Sequence, residues 1–378
     1  MRVALINNFP PYSGTGRYPY QLWKEFKSYS PEKLKADLFC THVMDRQEFN
    51  WPQNQGVKFL HKKAYKENEW RSRLAIYFID PLRVPKNYDL YHITSHMLGH
   101  FVPFLKPSVV TIHDVLQFKY ADQMASSLFS SVYNALLRRS LNWAARANRI
   151  LTVSERSKRE IIDRFEVEPS KVSVVYNGVD QSVFKPGDKN KARHETSLPQ
   201  DKKIILHVGA ETARKNIPVL LEALKTLVDR GQDIILVRIG EKTKEIDFLI
   251  NKMRLNDRVF YYSNVPEEKL PLYYQAADVL VLPSLDEGFG FPLVEAMACG
   301  TPVVTSNHDP MVEVVGSASL TFLATDFQEL TSKISSIFRD NDLCFRLVTA
   351  QLERVKEFTW EKCSAGVFDV YQEVLASV

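Results

Sequence analysis

Apolar residues in this chain arrive in short unbroken runs, and between the runs they recur at helical spacing. Arg2–Asn7, Ala36–Thr41, Val57–Leu60, Leu90–Ile93, Val109–Ile112 and Ile150–Val153 read as strands, several of them followed by helical patterns. The alternation resumes with strands at Lys203–Val208, Ile234–Ile239 and Val259–Tyr262, and with helices at Pro218–Arg230, Lys244–Arg254 and Glu267–Ala277. Strand and helix taking turns in this way predict an α/β protein with parallel, doubly wound sheets. A chain of 378 residues exceeds what one hydrophobic core usually organises, so two domains are expected. A strand at Val172–Val175 runs into the turn Tyr176–Asp180, and the stretch from Lys185 to Lys203 is rich in charge and contains Pro186 and Pro199. The pattern therefore places a first domain at 1–178, a linker at 179–202 and a second domain at 203–360.

Composition adds limits. With 45% hydrophobic and 25% charged residues the chain is globular rather than disordered. Its four cysteines, Cys40, Cys299, Cys344 and Cys363, lie far apart without paired zinc spacing, which points to a reducing, cytoplasmic compartment. No apolar run approaches the roughly 18 residues of a membrane span, and Met1 leads into a strand-like run rather than a signal peptide. Residues 1–178 hold 26 Lys and Arg against 16 Asp and Glu, a balance of +10, whereas the remaining 200 hold 23 against 29, or −6. Such asymmetry suits an anionic acceptor or peripheral contact with an acidic membrane surface; scattered solvated charge explains it equally well. The helical pattern Ser127–Ala147 carries an apolar stripe beside Arg138, Arg139 and Arg146, and core packing explains it better than a membrane surface. The basic residues are dispersed and attached to no recognisable nucleic-acid module, so a nucleic-acid partner is not expected.

Candidate chemistry concentrates in Ser284–Ser306, SLDEGFGFPLVEAMACGTPVVTS. Pro292 suits an early helical position and Gly300 the position past the end, so a helix of about two turns is predicted over Pro292–Cys299. Its N-terminus directly follows Gly288 and Gly290, which makes the stretch an anion site in prospect. Glu287 and Glu295 bracket that site. A glycosidase pair would hold its carboxylates roughly 5 to 9.5 Å apart on one sugar ring, and a loop followed by a helical turn spreads them further. Separate jobs are expected instead: one acid for sugar hydroxyls and the other for ribose, with a diphosphate between them. Arg214 and Lys215 follow the strand Lys203–Val208 and Gly209, where Arg offers a planar fork of donors and Lys a compact charge to phosphate oxygens. Asn216 is placed to cap the next helix. His113 and Asp114 end the strand VVTI. His92, His96 and His100 have the spacing of one helix face, but without nearby carboxylate or cysteine support a metal site is not expected.

Over about twenty residues the run from Glu287 to Val304 closely resembles the donor-site motif of retaining GT-B glycosyltransferases of family 4. The resemblance implies two Rossmann-like domains facing a cleft, the acceptor mainly on the first and a nucleotide-sugar on the second, with a final helix at 361–378 crossing back to the first. It assigns the diphosphate to Arg214, Lys215 and the helix near Pro292, the sugar to Glu287, Phe289, Gly290 and His113, and the ribose to Glu295. Gly240 and the turn Ser263–Val265 would line the base pocket, and Gly209, Gly288, Phe291, Leu293 and Val294 complete the donor-binding set. Gly14 and Gly16, in the expected loop Asn8–Arg17, look like the family's diphosphate-covering loop, although Ser13 and Thr15 interleave glycines that are adjacent in the family. The implied activity is hexosyl transfer, with mannose on GDP preferred over UDP-sugars, to a glycan or lipid-linked acceptor and without a required metal. A sugar-nucleotide epimerase on the same scaffold and a non-catalytic nucleotide-sugar-binding protein are the alternatives.

Overall fold

The computed structural model describes residues 1–9, 14–30, 32–41, 56–60, 77–119 and 128–378. It divides into two compact units, one formed by Met1–Gly178 with Trp360–Val378 and the other by Val179–Thr359. In the first unit the strands β1 (Arg2–Asn7), β2 (Lys35–Cys40), β3 (Lys58–Phe59), β4 (Leu90–Ile93), β5 (Ser108–Thr111), β6 (Arg149–Thr152) and β7 (Val172–Val174) form one sheet. Its order is β3-β2-β1-β4-β5-β6-β7, and these strands pair in parallel. In the second unit β8 (Lys203–Val208), β9 (Ile234–Ile239), β10 (Val259–Tyr262), β11 (Val279–Leu282), β12 (Val303–Ser306) and β13 (Leu320–Phe322) follow the order β10-β9-β8-β11-β12-β13, again parallel. Both sheets are the doubly wound α/β type that the alternation predicts.

The apolar runs form strands because helices cover the sheet. β4, β5, β11 and β12 are buried at every residue. Around the second sheet Leu220, Leu224 and Leu227 of the helix Ile217–Asp229 meet Ile205, Leu236 and Val281 in one core. In the first unit Leu141 and Ala144 of the helix Leu128–Ala144 pack with Leu98 and Phe101, so the stripe beside the arginines faces the core, as expected. Gly99 makes that packing possible: a Cβ there would lie 2.0 Å from the Ser140 carbonyl oxygen. Instead of continuing one helix face, His92 sits on β4, whereas His96 and His100 lie in the 3-10 turn His96–Phe101. Among the described residues no cluster could hold a metal ion and no helix is long and apolar enough to cross a membrane.

Several boundaries differ from expectation. The first helix spans Gly14–Phe26, so Gly14 and Gly16 belong to its opening turn rather than to a loop ending at Arg17. Residues 10–13 of that loop, like residues 42–55 and 61–76, lie outside the described residues. The segment 179–202 is part of the second unit and contains the helix Lys189–Glu195, capped by Asp188. Arg193 anchors it. Only 5% exposed, it donates to Asp278 Oδ2 at 2.8 Å, to the Ala276 carbonyl at 3.0 Å and to the Gln200 carbonyl at 2.9 Å. Arg193→Ala would leave the Ala276 and Gln200 carbonyls without this donor and Asp278 with only the half-exposed Lys189 and the Ile204 N–H, and a loss of about 1–3 kcal/mol is expected. Urea unfolding followed by far-ultraviolet circular dichroism measures it, because all five tryptophans lie outside the second unit, and a loss below about 1 kcal/mol would contradict the anchoring role.

Candidate active site

In each sheet the strand order reverses once, between β1 and β4 and between β8 and β11. Loops leaving the carboxyl ends of the strands diverge at such a point and leave a crevice for ligands. In the second unit these loops carry residues 209–216 and 283–290, and their side chains meet. Arg214 Nη1 donates to Glu287 Oε2 at 2.8 Å and to the Asp286 carbonyl at 3.0 Å. Lys215 Nζ pairs with Glu287 Oε1, which also accepts from Ser284 Oγ at 2.7 Å. Glu287 is 7% exposed, and burial alone would raise its pKa, but Lys215 and Arg214 outweigh that and hold the carboxyl below its usual range. Two cations against one carboxylate leave the cluster net positive.

The backbone around it is fixed by its sequence. Asn216 has φ 54° and stands at the start of the helix Ile217–Asp229, yet its side chain does not cap that helix. Its amide donates to the carbonyls of Pro283 at 3.1 Å and Ala324 at 2.7 Å, so it ties the two loops instead. Ser306 Oγ donates to the Ser284 carbonyl at 2.5 Å and Thr305 Oγ1 to the Leu282 carbonyl at 2.9 Å, pinning the exit of β11 to β12. Gly240, with φ 146°, ends β9 where a Cβ would come within 2.4 Å of the Gly209 carbonyl oxygen; only glycine lets the two strand ends approach so closely.

The helix after the glycines spans Phe291–Ala298, with Gly290 (φ 99°) before it and Gly300 (φ 71°) beyond its end. Its free amides are fewer than expected, because Pro292 has none and the Leu293 N–H is bonded to the Gly290 carbonyl at 2.9 Å. The Leu293 and Val294 side chains are fully buried in the core, and the Phe289 ring packs against Phe291 and Phe358. Gly288 and Val265 are half-buried, Val265 in the loop that follows β10. Glu295 does not join the Glu287 cluster through any described contact; it is 2% exposed, and its Oε2 accepts from the Tyr274 hydroxyl at 2.5 Å. The two acids thus occupy different surroundings: Glu287 is held by Arg214, Lys215 and Ser284, and Glu295 by Tyr274.

In the first unit Gly14 and Gly16 open the helix after β1, and His113 follows β5. His113 Nε2 donates to the Thr94 carbonyl at 3.1 Å, so Nε2 carries the proton and Nδ1 keeps a lone pair. Behind it His92 is fully buried between the Tyr371 hydroxyl at 2.6 Å and Thr111 Oγ1 at 2.7 Å.

Sequence reasoning missed a further buried group. His207, Arg238 and Tyr261 stand in register on β8, β9 and β10, and Glu211 closes the row. Arg238 Nη2 reaches Glu211 Oε1 at 3.2 Å and the Gly209 carbonyl at 3.3 Å, and Tyr261 donates to the same Oε1 at 2.6 Å. The signal available was an arginine and a histidine inside otherwise apolar strands.

These surroundings keep three histidines neutral. Removal from water lowers His92 to about 3 and His113 to about 4, assisted by each one's neighbouring imidazole, and His207 is lowered by burial and then by Arg238 and Lys215. An unfolded histidine titrates near pH 6.5, so below that pH the unfolded chain binds protons that the folded chain refuses. The stability concerned is fully present above about pH 6.5 and is lost as pH falls toward 4, by up to about 1.4 kcal/mol per pH unit for each group. The urea midpoint should therefore drop steadily between pH 7 and pH 5; an unchanged midpoint would count against neutral buried imidazoles.

Comparison with known proteins bears on the family and the fold. Residues 188–354 match the profile of Glycosyl transferases group 1, and residues 12–183 that of Glycosyltransferase Family 4. O-antigen chain mannosyltransferase B of Escherichia coli is 31% identical over 96% of this chain and 96% of its own length. O-antigen chain mannosyltransferase RfbU of Salmonella typhimurium is 30% identical over 65% of this chain, and there the match spans 64% of the relative's length. Among solved structures, sucrose-phosphate synthase from Thermosynechococcus elongatus has a TM-score of 0.78 at 22% identity over the whole of both chains. Anabaena Alr3699/HepE, solved with UDP and glucose, has a TM-score of 0.78 at 19% identity over 99% of this chain and 100% of its own.

Proposed function

Because this chain belongs to the group 1 and family 4 glycosyltransferases and has a GT-B fold of two Rossmann-like α/β domains, we propose that it transfers a hexose from a nucleoside-diphosphate sugar with retention. The acceptor is a hydroxyl of a glycan or lipid-linked saccharide. Mannose carried on GDP is the preferred donor, supported by relatives named as O-antigen chain mannosyltransferases; the UDP and glucose of one structural neighbour make UDP-sugars the competing donors. The observation that carries the reading is the pairing of Arg214 and Lys215 with Glu287 at the reversal point of the second sheet.

In this reading Arg214 and Lys215 neutralise the diphosphate as it gains charge on leaving an oxocarbenium-like transition state. Glu287 Oε1 is occupied by Lys215 and Ser284, whereas Oε2 accepts from Arg214 and keeps acceptor capacity for a sugar hydroxyl. Glu295, which accepts from the Tyr274 hydroxyl, would be the acid that holds a ribose hydroxyl. With two side-chain cations at the diphosphate, no metal is needed for its neutralisation. The acceptor oxygen attacks the face that the diphosphate leaves, the bond from the anomeric carbon to the phosphate oxygen breaks, and the acceptor's proton passes to that phosphate.

Incubation with GDP-mannose, with water as the surrogate acceptor, tests this by proton NMR. Freshly released α-mannose is expected, because the donor is α-linked. A β product would refute retention, accumulation of an isomerised nucleotide-sugar would favour an epimerase, and no release from GDP-, UDP- or ADP-sugars would refute the transferase reading.

A further inference from the structure

The row His207–Arg238–Tyr261 lies next to the proposed diphosphate site but has no part in the mechanism above. Arg238 is 0% exposed, and its Nη1 hydrogen-bonds His207 Nδ1. A guanidinium only donates, so Nδ1 must be the acceptor and the ring proton must sit on Nε2. A doubly protonated ring would set Nδ1–H against the guanidinium. His207 is therefore neutral, with its donor turned away from Arg238. That Nε2 is buried and has no hydrogen-bond partner among the described residues. A buried donor left unsatisfied costs roughly 1–3 kcal/mol, and such atoms are rare in native interiors.

The position of Nε2 shows what it can serve. A Cβ built on Gly209 would lie 3.5 Å from Lys215 Nζ and 3.7 Å from His207 Cε1, the ring carbon between Nδ1 and Nε2. The room for one carbon that Gly209 leaves is thus bordered by the Lys215 ammonium and by the edge of the His207 ring, and Nδ1 on that ring is already taken by Arg238, which leaves Nε2–H as the donor this side can offer. Donors on two sides select an acceptor oxygen. A metal ion does not fit this nitrogen, because Arg238 fixes the tautomer whose Nε2 lone pair is already used by hydrogen.

We infer that His207 is a further ligand of the donor's diphosphate, its Nε2–H donating to a phosphate oxygen beside Lys215; the inference rests on the donor reading given above. Arg238 is a positioning residue in this arrangement, acting through the tautomer it imposes, and Glu211 balances its charge. The burial and neighbouring cations that lower His207's pKa keep the donor in place across the physiological range.

Two isosteric substitutions separate binding from structure. His207→Asn can keep an acceptor near Nδ1 for Arg238 but has nothing at Nε2; His207→Gln can place an amide donor near Nε2 but gives up the Nδ1 acceptor. Calorimetry with GDP and thermal melts of the unliganded full chain are expected to cross. H207N should melt near the wild type and bind GDP roughly tenfold or more weakly, whereas H207Q should melt lower and bind GDP within about threefold of the wild type. GDP affinity that is unchanged in H207N, or that follows melting temperature across the variants, overturns the inference alone. A wild-type chain that binds neither GDP nor UDP overturns the donor reading and the inference with it. Should H207N fail to fold, the wild type labelled with 15N-histidine decides: one Nε2–H resonance must shift on adding GDP and stay unmoved by guanosine, and the opposite result overturns the assignment.

Discussion

Lys215→Ala is expected to lower kcat by roughly a hundredfold to a thousandfold, the usual effect of removing one preorganised charge-stabilising group from a dry site. Lys215 is 7% exposed and shares Glu287 with Arg214, so its charge acts where water screens little. Folding should suffer much less, because Glu287 keeps Arg214 and Ser284 as partners. GDP should also bind more weakly, since the site loses one of its two cations. Steady-state kinetics beside a thermal melt checks the split, and near-normal turnover in a folded variant would remove Lys215 from the mechanism.

Glu287→Gln should separate the same quantities with the opposite sign. Neutralising this carboxylate removes the acceptor proposed for the sugar hydroxyl and leaves Arg214 and Lys215 without their shared counter-charge. Turnover is expected to fall by roughly a hundredfold. GDP, by contrast, should bind more tightly, on the order of tenfold, because a diphosphate takes over the balancing role of the lost carboxylate. A variant that loses GDP affinity together with turnover would show that Glu287 serves the nucleotide directly, contrary to the division of labour argued here.

Much of this architecture was legible in the sequence because both sheets are buried on two faces. β1, β4, β8, β9 and β10 stand at the predicted residues, since a short apolar run bounded by polar turns leaves few other solutions. β13 escaped notice: Leu320–Phe322 is a three-residue edge strand with only one buried position, too short for any period to show. The stretch 179–202 read as a linker because charge and proline usually mean solvent, but one arginine, Arg193, draws its helix into the second unit.

The site was legible to a similar depth. The stretch around Glu287 and the Arg214–Lys215 pair stood out by residue type, and the fold brings them to one point. Which acid touches what did not follow from spacing. The partner of Glu295 is Tyr274, twenty-one positions away on another helix, and nothing local signals that contact. His207 and Arg238 were hidden for a related reason. In KIILHV and ILVRI each reads as one polar interruption of a buried strand, and only the register between β8 and β9 turns two interruptions into a pair. Asn216 illustrates how local rules can be overridden. It stands at the capping position with a suitable side chain, yet the carbonyls of Pro283 and Ala324 claim its amide.

A crystal structure of the full chain with GDP is the most direct measurement of whether the second unit holds a nucleoside diphosphate at its sheet reversal. The account predicts diphosphate oxygens within hydrogen-bond reach of Arg214 and Lys215, beside Gly209 at the carboxyl end of β8. Nucleotide bound elsewhere, with the Arg214–Lys215–Glu287 cluster untouched by phosphate, would contradict it.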